Sequence, residues 1–244
     1  ETMSQLWWRI QGVQYVRQQQ FPEALSSFRT AGLHLPWKHE SKLALEDRLL
    51  VKAGLLLRDN VLNRSRIERA YLKAIGAARH EIVIANAYFL PGRRLRKALI
   101  HAAQRGVRVR LLLQGRYEYF MQYHAARPVY RQLLAAGVEI YEYADSFLHA
   151  KVAVIDAHHA HPWATVGSSN LDPFSLLLAR EANVVVVDGF FAKQLHAALS
   201  QAIEAGSQRV VAEALMTRSK LQRGMDWVAF GLMRFAIWLT GRRY

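Results

Sequence analysis

From residue 81 onward the chain alternates short apolar runs with longer amphipathic stretches. EIVIANAYFLP (81–91), VRVRLLLQG (107–115), VEIYEY (138–143), LHAKVAVID (148–156) and ANVVVV (182–187) are rich in Val, Ile and Leu and are bounded by polar or turn residues. They read as buried strands. RRLRKALIHAAQRGV (93–107), the stretch leading into AAGVEIYEY, and residues 190–205 have helical character. Upstream, the pattern predicts a first strand at 47–52 and a helix at 64–79, with Asn60 or Asn63 as its cap. Strands alternating with helices imply an α/β fold with helices on the faces of a sheet. Residues 4–32 are helix-prone and 33–45 read as a connecting loop. The expected division is an N-terminal helical and connecting segment over 1–45, a catalytic domain over 46–206, and a basic, apolar C-terminal segment over 207–244.

The chemistry concentrates in FLHAKVAVIDAHHAHPWATVGSSN (147–170). In a strand, residues two apart share a face, so His149 and Lys151 are expected side by side. A neutral imidazole can attack phosphorus, and a neighbouring ammonium can stabilise the charge that grows on the phosphate oxygens. Ser168 and Asn170, also two apart, offer a hydroxyl and an amide as neutral donors, and Gly167 allows close backbone approach. Asp156 ends the motif strand, where it could pair with a cation or tie down the turn. Glu181 precedes the ANVVVV run; a carboxylate bonded to one imidazole nitrogen would leave the other free.

These residues resemble the second catalytic motif of the phospholipase D superfamily, H-x-K-x4-D-x6-G-S-x-N. This chain has ten residues between Asp156 and Gly167 where the pattern has six, and AHHAHPWAT supplies the excess. A longer hairpin loop is the expected consequence. The order of strands and helices over about 45–205 resembles the phospholipid-synthesising branch, and within it the C-terminal half of bacterial B-type cardiolipin synthases. The resemblance implies a mixed β-sheet sandwiched between helices. It implies His149, Lys151, Asp156 and Glu181 as catalytic residues, with Gly167, Ser168 and Asn170 at the phosphate, and neither metal nor cofactor. It also implies a second H-x-K-x4-D histidine, one acting as nucleophile and the other as general acid. No other histidine here has a lysine two residues on. The chain is therefore expected to supply half a site, completed by an N-terminal half of the same enzyme or by a second subunit.

Charge and the C-terminal segment bear on the substrate. The formal net charge is +14 with no cysteine. That balance excludes a disulfide framework and attracts polyanions, whether nucleic acid or an anionic membrane. Arg93, Arg94, Arg96 and Lys97, then Arg105, Arg108 and Arg110, form basic stretches that are either a solvated helix face or contacts to lipid headgroups. GRYEYFMQY (115–123) interleaves aromatics that suit a membrane interface, stacked bases or a core. MDWVAFGLMRFAIWLTGRR (225–243) is too short and too charged to span a bilayer, but Trp227, Trp238 and the flanking arginines suit an interfacial amphipathic helix. The other reading is a helix packed on a partner domain. His158, His159 and His161 lack acidic or thiol neighbours in sequence, and no metal is expected there.

The expected activity is phosphatidyl transfer making cardiolipin, with phosphatidylglycerol as acceptor. The expected location is the cytoplasmic face of a bacterial inner membrane, held peripherally. The alternatives are a nuclease of the same superfamily working as a dimer, or a non-catalytic docking half. Nucleic acid is the less favoured partner because of the apolar C-terminal segment.

Overall fold

The computed structural model describes residues 52–59, 63–116, 120–172, 175, 179–213, 217 and 219–239. The N-terminal helix and loop expected over 1–45 and the strand expected over 47–51 lie outside them.

Eight strands form one mixed sheet in the order β1-β7-β6-β5-β2-β3-β4-β8. In chain order they are β1 (Lys52–Arg58), β2 (Glu81–Asn86), β3 (Arg108–Gln114), β4 (Glu139–Tyr143), β5 (Lys151–Ile155), β6 (Trp163–Gly167), β7 (Glu181–Val187) and β8 (Ser207–Arg209). The helices are α1 (Arg66–Ala77), α2 (Arg93–Gln104), α3 (Phe120–Leu134), α4 (Gly189–Gly206) and α5 (Lys220–Leu239). β2, β3 and β4 run parallel, connected through α2 and α3. β5 enters antiparallel between β2 and β6. It is buried along its whole length, which is why its sequence is an unbroken apolar run after Lys151.

Strand alternation sends side chains into two cores. On one face Ile82, Ile84, Leu111, Leu113, Ala153 and Ile155 pack with buried residues of α1, α2, α3 and α5. On the other, Val83, Ala85, Leu112, Val152 and Val154 pack under Ala192, Leu195 and Leu199 of α4. The expected sheet between helices is what forms.

Several local readings are corrected. Of the strand expected at 47–52 only Lys52 is described, and it begins β1. α1 is capped at Ser65, not at Asn63, and has no side-chain cap bond. Asn63 instead donates its backbone N–H and its amide to Asp59 (2.9 and 2.7 Å); Asn60 lies outside the described residues. The segment after 206 is built onto the sheet and helices before it. β8 pairs with β4, and Ala229, Phe230 and Met233 of α5 join the larger core. A buried hydrogen bond between His124 Nδ1 and Asp226 Oδ1, 2.6 Å long, ties α3 to α5.

The basic stretch after 93 also divides. Arg105 donates to the carbonyls of Ile75, Gly76 and Ala78 at the end of α1. Arg110 pairs with Glu81 at 2.9 Å, and Arg108 with Glu139 at 2.8 Å. Burial alone would raise the Glu81 carboxyl, but His196 and Arg110 outweigh it and hold its pKa below the usual carboxylate range. These cations are structural; Arg93 and Arg94 remain exposed on α2.

Asp156 turns the chain out of β5 in the left-handed region, at φ 50°. Its carboxylate accepts from the backbone N–H groups of Arg79, His80 and Glu81, each at 2.9 Å. Replacing it with alanine leaves three N–H donors at the start of β2 without that acceptor. An uncompensated donor costs about 1–3 kcal/mol when buried. Asp156→Ala should therefore lower the unfolding free energy in urea by about 2–4 kcal/mol. Asp156→Asn, which keeps one acceptor oxygen, should lose less. An unchanged urea midpoint for Asp156→Ala would show that the turn does not depend on this carboxylate.

Candidate active site

The site is assembled by register at one end of the central strands. Asn86 ends β2 opposite Lys151, which begins β5. β6 pairs with β5 through Val152↔Val166, which brings the end of β6 alongside the start of β5. Gly167 is opposite Asn183 of β7, and Arg58 at the end of β1 is opposite Glu181 at the start of β7. Lys151, Gly167, Glu181, Asn86 and Arg58 thus gather along one rim.

His149 stands just before β5, not within it, and is exposed. Lys151 is buried at 5% exposure and donates its ammonium to the His149 carbonyl at 3.1 Å. The Lys151 ammonium thus reaches back to the backbone of His149, two residues before it. Ala87 N–H to Ala150 O (3.0 Å) and Leu148 N–H to Gln114 Oε1 (3.2 Å) fix the intervening backbone.

The GSSN turn is held as firmly. Ser168 donates its hydroxyl to Glu181 Oε2 in a very short hydrogen bond. Its backbone N–H donates to Ala182 O (2.9 Å), and its Oγ accepts from Ala182 N–H (3.1 Å). Asn170 uses Oδ1 to accept from Tyr88 N–H at 3.3 Å, which leaves the amide nitrogen as donor. A Cβ on Gly167 would lie 2.3 Å from the Asn183 side chain and 2.5 Å from Ala182 O. Glycine is required there by close approach, not by an unusual φ.

Of the seven residues picked from sequence, the rim gathers six: His149, Lys151, Gly167, Ser168, Asn170 and Glu181. Asp156 is not among them. It sits past the far end of β5, about 16 Å from Lys151 at roughly 3.3 Å per residue. Its carboxylate holds the turn at 79–81, the second of the two roles the sequence left open for it. Glu181 is buried against the GSSN turn through Ser168.

Sequence reading passed over Asn86, Tyr88 and Arg58. Asn86 is fully buried and accepts from Leu171 N–H at 3.0 Å through Oδ1. Its Nδ2 has no hydrogen-bond partner among the described residues. The signal was a lone polar residue closing the apolar run EIVIAN. Arg58 is buried at 2% exposure at the end of an edge strand, and the sheet register places it opposite Glu181. The loop histidines pack away from the rim, with His159 stacked on His80 (ring centroids 3.5 Å apart) and His158 Nε2 at 3.2 Å from His196 Nδ1.

The family described as "Cardiolipin synthase, PLD-like domain" matches residues 71–203. Cardiolipin synthase B of Escherichia coli (strain K12) is 43% identical over 207 residues, 84% of this chain and 49% of the relative. The minor cardiolipin synthase of Bacillus subtilis (strain 168) is 31% identical over 169 residues, covering 69% of this chain and 41% of the relative. The chain thus spans about half the length of the curated relatives it matches. Two solved structures share the fold. One is a phospholipase D family member, Nuc from Salmonella typhimurium, with TM-score 0.54, 20% identity, and coverage of 66% of this chain and 98% of that one. The other is a phosphatidylserine synthase from Haemophilus influenzae, with TM-score 0.59, 13% identity, and coverage of 80% and 48%. Matched over more than half its length, with the H-x-K pair and the GSSN turn on one rim, this chain belongs to the cardiolipin synthase family of phospholipase D-like proteins.

Proposed function

We propose that this chain is the half of a phosphatidyltransferase that makes cardiolipin, and that its rim binds one side of the transferred phosphate. The observation that carries the reading is the buried Lys151 ammonium between exposed His149 and the donors of the GSSN turn. In this mechanism one histidine of the complete site attacks the phosphorus of phosphatidylglycerol. The bond from phosphorus to the glycerol oxygen breaks, and the second histidine protonates the departing glycerol. The hydroxyl of another phosphatidylglycerol then attacks the phosphohistidine, losing its proton to the histidine that acted as acid. His149 takes one of the two roles. Lys151 and the Asn170 amide stabilise the phosphate oxygens as charge builds, while Ser168, bonded to Glu181 and Ala182, holds the turn that presents Asn170. Glu181 orients the machinery from beneath, through Ser168 and as partner of the imidazole. The second histidine comes from an N-terminal half or a second subunit.

The membrane is the proposed partner, approached from the cytoplasmic side of the bacterial inner membrane. No helix among the described residues is long and apolar enough to cross a bilayer. α5 instead carries two apolar stripes at helical spacing. Ala229, Phe230 and Met233 are buried in the core. Leu221, Val228, Leu232 and Phe235 form a second stripe, and each is more than half exposed (75%, 62%, 53% and 55%). Leu221, Val228 and Leu232 also line an apolar groove of about 440 Å³ with Phe120 and Met121 of α3. A helix packed on its own domain with one stripe left outward fits an interfacial helix, and unites the two sequence readings of this segment. A nuclease has no use for such a stripe.

Two measurements test this reading. The first compares three proteins on phosphatidylglycerol vesicles, reading cardiolipin by mass spectrometry: this 244-residue chain, a version extended N-terminally in its own reading frame, and the extended protein carrying His149→Ala. Product is expected from the extended wild type, with the His149→Ala rate at least about a thousandfold lower. Cleavage of DNA with no cardiolipin from any of the three would contradict the proposal. The second is vesicle co-sedimentation of Val228→Ser/Leu232→Ser/Phe235→Ser. Each apolar side chain returned to water forfeits about 1.5–3 kcal/mol, so affinity should fall at least about tenfold with the fold intact. Surface substitution is preferred to deleting the helix, which would uncover His124 and the α3 core. Unchanged sedimentation would assign the stripe to a protein partner.

A further inference from the structure

A polar pocket lies directly beside the His149 rim, between the carboxyl ends of β2 and β3 and the helix α3. Crevices at the carboxyl ends of parallel strands are where ligands bind in such sheets. Its volume is about 50 Å³, room for about four water-sized groups. Tyr88, Gln114, Arg116, Tyr123, Arg127 and Tyr130 are among its lining residues. Two of these hold the rim itself. Tyr88 donates its backbone N–H to Asn170 Oδ1 at 3.3 Å, on the GSSN side. Gln114 Oε1 accepts the Leu148 N–H at 3.2 Å, one residue before His149. A group attached to a phosphate held between His149 and Asn170 therefore has this pocket as its neighbour.

The walls are set by contacts within the protein. The buried Arg127 guanidinium lies 4.1 Å from the Tyr123 ring centroid and 5.0 Å from that of Tyr130, and its Nη1 pairs with Glu142 Oε1 at 2.8 Å. Arg116 donates to the carbonyls of Ala144, at 2.9 Å, and Asp145. Gln114 meets Leu148 through Oε1, which leaves its amide nitrogen as a donor. Gln114 and Tyr123 are half-buried, so an amide and a phenol stand within reach of a ligand. Size and chemistry then select together. An acyl chain does not fit a pocket this small, whereas the short glycerol arm of a phosphatidylglycerol headgroup does. Its hydroxyls need the donors and acceptors that these walls carry. A site that hydrogen-bonds a substrate hydroxyl discriminates strongly against an alcohol that lacks it.

We propose that this pocket receives the glycerol portion of the alcohol exchanged at the reacting phosphate, with Gln114 and Tyr123 as specificity-determining residues. The proposal rests on the phosphatidyl-transfer reading above and names the alcohol class that this half of the site selects. Departing and attacking alcohols share the pocket, because one histidine protonates the first and deprotonates the second. In the second step the phosphorus–nitrogen bond of the phosphohistidine breaks and the bond from phosphorus to the alcohol oxygen forms. The hydroxyl proton passes to the acid–base histidine. An alcohol with a further hydroxyl for the pocket is favoured over one without.

The test is a competition on phosphatidylglycerol vesicles with the N-terminally extended protein. Deuterated glycerol and ethanol are supplied together, and labelled phosphatidylglycerol and phosphatidylethanol are read by mass spectrometry. The wild type should prefer glycerol at equal concentrations. Tyr123→Phe removes one hydroxyl, and Ala126→Leu fills the pocket from α3. Gln114→Glu keeps an acceptor for the Leu148 N–H and loses the amide donor. Each should lower the glycerol-to-ethanol product ratio at least about fivefold. The ratio is internal to each sample, so a partly unfolded preparation does not shift it. An unchanged ratio in all three variants, whether the two products persist or fall together, would overturn the pocket assignment. Phosphatidylethanol from the wild type would in that case keep the transfer reading standing. Neither labelled product from the wild type would remove the transfer reading and the pocket with it.

Discussion

The antiparallel insertion of β5 between β2 and β6 is the constraint on which the rest depends. The strand is five residues long and wholly buried. Its register is fixed at both ends. At one end Lys151 pairs with Asn86, and Ala150 O accepts Ala87 N–H. At the other, the Asp156 carboxylate gathers three backbone N–H groups at the start of β2. A slip of one residue would turn Lys151 to the opposite face and pull Asp156 off its donors at once. The H-x-K and D parts of the motif therefore do different jobs. In the proposed mechanism the first two residues handle phosphate; the third sets the register that delivers them.

The same register explains how a few small residues build a phosphate rim. Gly167 lets β6 approach the Asn183 side chain and the Ala182 carbonyl closely. Ser168 then bonds to both Glu181 and Ala182. The turn is rigid before any ligand arrives, so its donors need little reorganisation when charge develops. A rim with one His-Lys pair grips phosphate from one side, and in-line displacement needs acid and nucleophile on opposite sides. The proposed second half follows from that geometry as well as from the length of the relatives.

Much of this was legible in the sequence. Unbroken Val-Ile-Leu runs announced the central strands because those strands are buried on both faces. Period-two spacing assumed a strand through His149, whereas the strand itself begins only at Lys151. What stayed hidden depended on long-range pairing. The Asp156 partners are 75 to 77 positions away in sequence. The extent of β1 is set by its pairing with β7, not by its own composition. Asn63 looked like a cap but is held by Asp59. The C-terminal helix read as either an interfacial helix or one packed on a partner domain; Ala229, Phe230 and Met233 pack into this chain's own core, while a second apolar stripe stays exposed. The arginines after 93 looked alike in sequence, yet Arg105 and Arg110 are structural, while Arg93 and Arg96 face a cavity.

The central claim is that phosphate binds between the His149–Lys151 pair and the GSSN turn. The most direct measurement is an NMR titration of the histidine-labelled 244-residue chain with inorganic phosphate, following the His149 ring resonance. The account predicts a saturable shift of His149, lost in Lys151→Ala, with His158 and His196 unmoved at the far end of the sheet. A shift confined to His158 and His196, or a His149 response indifferent to Lys151, would contradict it.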